Sequence, residues 1–173
     1  TIHPVSSEEW NAFLRQQEFA IFLQSPEYHN FTQKEGEQGF FWGVYDSAQL
    51  LVAGSYISTV HAKRGHFLFL PYGPLLSSSV APSQQLSVLQ TLFDALTSYA
   101  KKEGYAFIRV SPFWEKSDHT MQLCRSLGLR PAPMHTLAEH TWMLDIREPL
   151  DVLLANMKKN HRNLIRRCIK EGV

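Results

Sequence analysis

The chain has 173 residues, 44% of them apolar and 19% charged, with 17 Lys and Arg against 16 Asp and Glu for a formal net charge of +1. That length suffices for one domain with a proper core, since a domain of about 150 residues buries roughly 68–70% of the surface its unfolded chain exposes. The longest apolar runs, FAIFL (19–23) and FLFL (67–70), fall far short of the about 20 residues that a membrane-spanning helix needs, which excludes that class.

The opening TIHPVSSEEW carries neither a basic n-region nor an apolar h-region, so no secretory signal is legible, although Thr in place of Met leaves room for a lost leader. Cytoplasm is the default expectation. Ser6 and Glu9 have capping-box spacing ahead of Trp10, Phe13 and Leu14, which recur on one helical face. A second helix follows FLQS: Ser25 is a natural N-cap, Pro26 suits the first helical position, and Tyr28, Phe31 and Thr32 continue the period until Gly36. The pattern then changes to β-branched and aromatic runs, FFWGVY (40–45), QLLVAGSYISTV (49–60) and GHFLFLPYG (65–73), which read as an antiparallel meander.

After the Ser- and Pro-rich YGPLLSSSVAPS, Leu86, Leu89, Leu92, Phe93, Leu96 and Tyr99 mark an amphipathic helix over 82–102 that Gly104 ends. YAFIRVSP (105–112) reads as a nearly continuous apolar strand, SDHTMQLCRSLGL as a helix capped near Ser117 and closed by Gly128, and EHTWMLDI (139–146) as an alternating strand. EPLDVLLANM starts a last helix, and a basic segment continues it or follows after a break. The order ααβββαβαβα predicts an α/β fold with no internal repeat and no linker before about residue 147.

The near-neutral total hides an asymmetry. Residues 1–157 hold 11 basic and 15 acidic side chains, whereas 158–173 hold 6 and 1. Cys124 and Cys168 are isolated, without the spacing of a zinc site or a disulfide framework, and read as buried, reduced thiols. HTLAEH (135–140) misses the H-x-x-E-H zinc motif by one residue and runs from a Pro-containing stretch into a predicted strand, so no metal is expected. No G-x-S-x-G elbow occurs either.

In their order and spacing, FLQSPEY, YGPLL, KKEGYAFIRVSP, LGL, HTWMLDI and MKKNHRNLIRRCIKEGV resemble the FemABX family, the aminoacyltransferases that build peptidoglycan interpeptide bridges. The resemblance implies an acetyltransferase-like (GNAT) fold, a mixed central sheet flanked by helices, over 1–157. It further implies that the basic helix at 158–173 leads into a second GNAT-like domain, so that the chain is part of a protein about twice as long and inactive alone. The implied reaction moves an amino acid from aminoacyl-tRNA to the stem-peptide amine of a peptidoglycan precursor, lipid-linked or the soluble UDP-MurNAc-pentapeptide. The implied place is the cytoplasm, at or near the inner membrane face, without DNA as a partner. Aminoacyl-tRNA is a co-substrate and no cofactor is expected. Two other readings stay open: a GNAT-like N-acyltransferase of another substrate class, and a non-catalytic GNAT-like binding or scaffold module. Against CoA use in this half stands the lack of an R/Q-x-x-G-x-G/A turn; RSLGLRP is the nearest string.

Chemically, the resemblance asks for alignment of two phosphate-bearing substrates, removal of a proton from an ammonium of pKa ~10.4 if it is a lysine side chain, and oxyanion stabilisation. Lys159, Arg162, Arg166 and Lys170 would fall on one ridge of a helix and suit phosphates of tRNA, or form an ordinary solvated face. Leu154, Met157, Leu164, Ile165 and Cys168 would form an apolar stripe. Lys34 lies near where the family places a lysine toward the nucleotide or diphosphate end of the acceptor. Tyr72 and Gly73 sit where a strand meets the implied acceptor groove. Arg109, within an apolar strand expected to be buried on both faces, must be paired, either with an anionic substrate group or with Glu115 or Asp145. The resemblance supplies no general base.

Overall fold

Serine caps start the helices where the sequence places them. In the computed structural model, which describes residues 1–19, 21–63, 65–138, 140, 142 and 144–172, the Ser6 side chain accepts from the Glu9 amide at 3.2 Å and opens α1 (Ser7–Leu14). Ser25 does the same for Tyr28 at 3.1 Å and opens α2 (Pro26–Lys34), which follows a 3-10 turn at Phe22–Gln24. Before α1 lies a short strand, β1 (Ile2–Pro4), and after α2 come β2 (Gln38–Tyr45), β3 (Leu51–Ala62) and β4 (Gly65–Tyr72), the expected meander. A two-residue β5 (Leu75–Leu76), α3 (Pro82–Glu103), β6 (Phe107–Pro112) and α4 (Asp118–Ser126) follow, α4 with a capping box between Ser117 and Thr120.

The chain divides into two units, Thr1–Leu137 and Ala138–Val173. In the first unit the sheet runs β1-β2-β3-β4-β6, with β5 beside β3. All pairs are antiparallel except β4 and β6, which the α3 crossover makes parallel. Among the described residues β6 ends the sheet, and Phe107 is 45% exposed. β6 is thus not covered on both faces as its apolar run suggests.

Two cores result from the strand alternation. On one face Leu89, Leu92, Phe93 and Leu96 of α3 pack with Ile57, Leu68 and Leu70; each such side chain contributes roughly 1.5–3 kcal/mol on burial. On the other, Trp10, Phe13 and Leu14 of α1 meet Phe41, Tyr56 and Leu75. Gly104, at φ 77°, closes α3 with its amide on the Ala100 carbonyl, a left-handed cap that costs glycine nothing.

The second unit holds α5 (Leu150–Asn156) and α6 (Lys159–Glu171), separated at Met157 and Lys158, whose ψ angles of 154° and 143° break the helix. Of the strand expected over 139–146, Glu139, Thr141 and Met143 lie outside the described residues, and the others carry no strand. Ala20, Arg64 and Val173 lie outside them as well.

Candidate functional site

β3 is paired with β4 from Ser58 onward and with β5 at Ala53 and Gly54, which leaves a gap in the sheet at Tyr56. The side chain of Gln24, fully buried, fills it. Its Oε1 accepts from the Tyr56 amide at 2.7 Å and its Nε2 donates to the Pro71 carbonyl at 2.6 Å, with longer contacts to the Tyr56 carbonyl and Ser55 Oγ. A primary amide has one acceptor and two donors, so it can replace the missing strand on both sides. The main chain of Gln24 is used too: its carbonyl accepts from Trp10 Nε1 at 2.6 Å. Gly73 is buried against this plug. A Cβ there would lie 2.9 Å from Gln24 Nε2 and closer still to Ser55 Oγ. Tyr72, half-buried at φ 55°, packs edge-on against Phe113.

Beyond the gap, the face opposite α3 carries a cleft of about 260 Å³ lined by Ser58, Val60, Phe67, Phe69, Pro71 and Arg109, with Tyr28, Glu37 and Thr136 completing it. The strand residues share that face by register, because Ser58 is opposite Phe69, Val60 opposite Phe67, and Phe69 beside Arg109. Ligand pockets usually run to about 300–1,000 Å³, so this cleft suits one group of a larger ligand. Its floor is apolar, and its charged groups are Arg109 and Glu37. Burial, with a smaller push from Glu37, raises the Tyr28 phenol above its usual range. Tyr56 behind it is raised chiefly by burial, against the pull of its 2.9 Å hydrogen bond to Thr32.

Arg109 is half-buried. Its Nη2 donates to the Met134 carbonyl, while its Nε is buried without a hydrogen-bond partner. Glu115, of the two expected carboxylates, does not pair with it. Asp145 belongs to the second unit and is held there by Arg147, whose guanidinium keeps the carboxyl below its usual range. Glu115 is exposed, and its carbonyl accepts from Thr120. Lys34 is the exposed last residue of α2 and is not among the residues lining the cleft.

On α6, Lys159, Arg166 and Lys170 are exposed and Arg162 is half-buried. Arg162 Nη1 donates to the Ala155 and Met157 carbonyls at 2.7 and 2.6 Å, capping α5. Arg167 pairs with Glu171 four residues on. Of the expected apolar stripe, Leu154, Met157 and Ile165 are half-buried, whereas Leu164 is 56% exposed and Cys168 is exposed rather than buried. Among the described residues, no three His, Cys, Asp or Glu side chains are grouped to hold a metal ion, and no helix is long and apolar enough to cross a membrane.

Sequence reasoning found Arg109 but missed the rest of the cleft. The alternation of Phe67, Phe69 and Pro71 was a legible signal of one shared face; Tyr28, Glu37 and Thr136 join it only through tertiary packing. Gln24 announced itself only as a polar residue closing an apolar run.

A mixed sheet whose one parallel pair is bridged by a long helix, with a cleft on its open face, is the architecture of GNAT acetyltransferases. The chain is similar over 84% of its length to a probable acetyltransferase, with 98% of that chain covered, at 15% identity and a TM-score of 0.56. It is also similar to aminoglycoside 6'-N-acetyltransferase AAC(6')-IG from Acinetobacter haemolyticus, at 14% identity, 84% and 99% coverage and a TM-score of 0.53. The likeness to FemX is greater: a TM-score of 0.77 at 16% identity over 98% of this chain. The sequence profile of the FemAB family matches residues 5–127, and the chain belongs to that family. It spans 44% of the length of the FemX chain. None of the curated proteins compared with it matches.

Proposed function

We propose that this chain is one domain of a two-domain aminoacyltransferase that moves an amino acid from aminoacyl-tRNA to the stem-peptide amine of a peptidoglycan precursor. The observation that carries the reading is the FemAB match over 5–127, which spans β2 to β6 of the first unit's sheet. In the reaction the amine attacks the ester carbonyl, the new amide bond forms, and the tRNA 3'-terminal hydroxyl leaves with a proton. The ester supplies the driving force, so the protein's tasks are alignment and charge stabilisation. The cleft with Arg109 takes an anionic group of the acceptor, Tyr72 and Gly73 belong to the acceptor groove, and Lys34 serves the nucleotide or diphosphate end of the acceptor.

The basic ridge of α6 takes phosphates of the tRNA. Lys158 and Lys159 sit at the N-terminus of α6, where the helix dipole is positive and its first turn holds no acidic residue. Cations there cost the helix a few tenths of a kcal/mol, which favours a role outside helix stability. A second GNAT-like domain completes the enzyme, no cofactor takes part, and the reaction runs in the cytoplasm at the inner face of the membrane.

The test is to express the longer reading frame containing this chain and supply charged tRNA with lipid-linked or soluble precursor. Mass spectrometry of the acceptor should show one added aminoacyl group with the long form and none with residues 1–173. Tight tRNA binding by both forms without any transfer would instead make the chain a binding module.

A further inference from the structure

The two charged side chains that line the cleft come from opposite margins of its floor. Arg109 belongs to β6, whereas Glu37 immediately precedes β2, whose first residue Gln38 is opposite Thr59, so that Glu37 comes beside Val60. β2, β3, β4 and β6 are successive neighbours in the sheet, and three inter-strand spacings of about 4.8 Å put about 14 Å between the outer two. Among the described residues no ion pair joins Glu37 to Arg109 or to any other side chain. Glu37 is fixed by its main chain, which donates to the Thr32 carbonyl at 2.9 Å, while its side chain is exposed at the mouth. After burial, its charge is the second cause that holds the Tyr28 phenol above its usual range. Tyr28, Phe67 and Phe69 of the lining are favourable neighbours for a cation, because an aromatic face attracts positive charge.

We propose that this cleft is the subsite for the amine-bearing residue of a peptide: Glu37 holds the side-chain ammonium, Arg109 takes a carboxylate of the same peptide, and Val60, Phe67 and Phe69 pack the methylenes between them. The proposal rests on the reading of the cleft as an acceptor site and names the part of the acceptor that enters it. A lone anion here gains Arg109 but faces the Glu37 carboxylate, and a lone cation gains Glu37 but faces the guanidinium. Screening acts over about 8 Å at physiological ionic strength, so a ligand bearing both signs is attracted at both ends and one bearing a single sign is not. The width of the floor, and the absence of an ion pair across it, call for ligand charges several bonds apart, as on a lysine-type side chain and a terminal carboxylate, and not for the two groups of one α-carbon. An aminoacyl ester keeps its ammonium but has no carboxylate, because that carboxyl is esterified. The pair of charges therefore selects the acceptor peptide over the aminoacyl donor, and a cavity of about 260 Å³ admits one side chain of it.

Three lysine derivatives separate the charges. Nα-acetyl-L-lysine carries the side-chain ammonium and the carboxylate, its methyl ester keeps only the ammonium, and Nα,Nε-diacetyl-L-lysine keeps only the carboxylate. NMR titration of the isotopically labelled chain, read at the Val60 and Phe67 amides, gives a Kd for each. Nα-acetyl-L-lysine should bind more tightly than the other two. Glu37→Gln should weaken it about threefold to tenfold, the range for an ammonium that meets a partly exposed carboxylate with aromatic rings nearby, while the diacetyl compound keeps its Kd or binds more tightly, which shows that the cleft is intact. A methyl ester bound as tightly as the free acid would give the site to the aminoacyl donor and overturn the assignment. A Glu37→Gln chain with wild-type affinity for Nα-acetyl-L-lysine, or amides unmoved by all three compounds up to their solubility limits, overturns the subsite itself. Because the readout needs no tRNA and no turnover, a failed transfer assay leaves the subsite standing, and a silent titration leaves the transfer reaction standing.

Discussion

Gln24→Leu removes an amide from the sheet gap while keeping most of the volume. Two buried main-chain groups, the Tyr56 N–H and the Pro71 carbonyl, lose their close partners at 2.7 and 2.6 Å. Each orphaned group costs about 1–3 kcal/mol, and the gap admits no neighbouring strand to take over, because β3 pairs with β4 only from Ser58 onward. The expected loss is therefore about 2–6 kcal/mol, a large share of the roughly 5–15 kcal/mol that stabilises a typical domain. Urea unfolding followed by circular dichroism measures it. With an m-value of about 1–3 kcal/mol/M, the midpoint should fall by at least about 0.7 M with the slope unchanged. Gln24→Glu supplies an internal control: its carboxylate can accept from Tyr56 but cannot donate to Pro71, so it should regain stability as acid protonates it. A Gln24→Leu protein within about 0.5 kcal/mol of wild type would refute the argument, since surface substitutions alone stay in that range.

Gly73→Ala should destabilise by about 1–3 kcal/mol, because the new methyl must displace Gln24 Nε2 and Ser55 Oγ; differential scanning calorimetry should show a Tm lower by about 3–10 °C. Burial lowers the His29 pKa below 6.5, so the folded state prefers neutral imidazole and its contribution holds above pH 6.5 and is lost as pH falls through the folded value. The urea midpoint should thus drop from pH 7 to pH 5 by less in His29→Gln than in wild type. If four ridge cations neutralise four phosphates, log Kd for tRNA should rise with log salt at a slope of about 3–4, and a Lys159→Gln/Arg166→Gln variant should lower that slope by about 1–2; a salt-independent Kd would remove the ridge from the interface.

What was legible in the sequence was local. Ser6, Ser25 and Ser117 cap helices through bonds spanning three residues, and the long α3 announces itself through the period of Leu89, Leu92, Phe93 and Leu96. β1 and β5, three and two residues long, fall below any pattern, since alternation needs at least four residues to register. The partners of Gln24 lie 32 and 47 residues away in sequence, and Arg109 meets a carbonyl 25 residues on. Nothing in composition or period encodes such pairings. Glu115 is not the partner of Arg109 because a half-buried guanidinium needs acceptors, not anions as such, and a main-chain carbonyl is an acceptor that every residue carries.

The motif residues that suggested the family and the residues that line the cleft are for the most part different sets, and the structure gives a reason. Gln24 and Gly73 both act on the gap at Tyr56, where close packing tolerates neither a lost amide nor an added methyl. Their chemistry is therefore constrained by the fold whatever the ligand is. Yet Pro71 is both the acceptor of Gln24 Nε2 and part of the cleft wall, and Tyr28 of that wall stacks edge-on against Tyr56 at 6.0 Å. The plug thus sets the position of two lining residues without touching a ligand. Gln24 is then a positioning residue for the cleft, and its replacement should weaken Nα-acetyl-L-lysine binding even under conditions where the variant remains fully folded. Phe67 and Phe69, which lie outside the Gln24 network, are the positions where a change of side chain would alter what the cleft accepts while leaving the sheet intact.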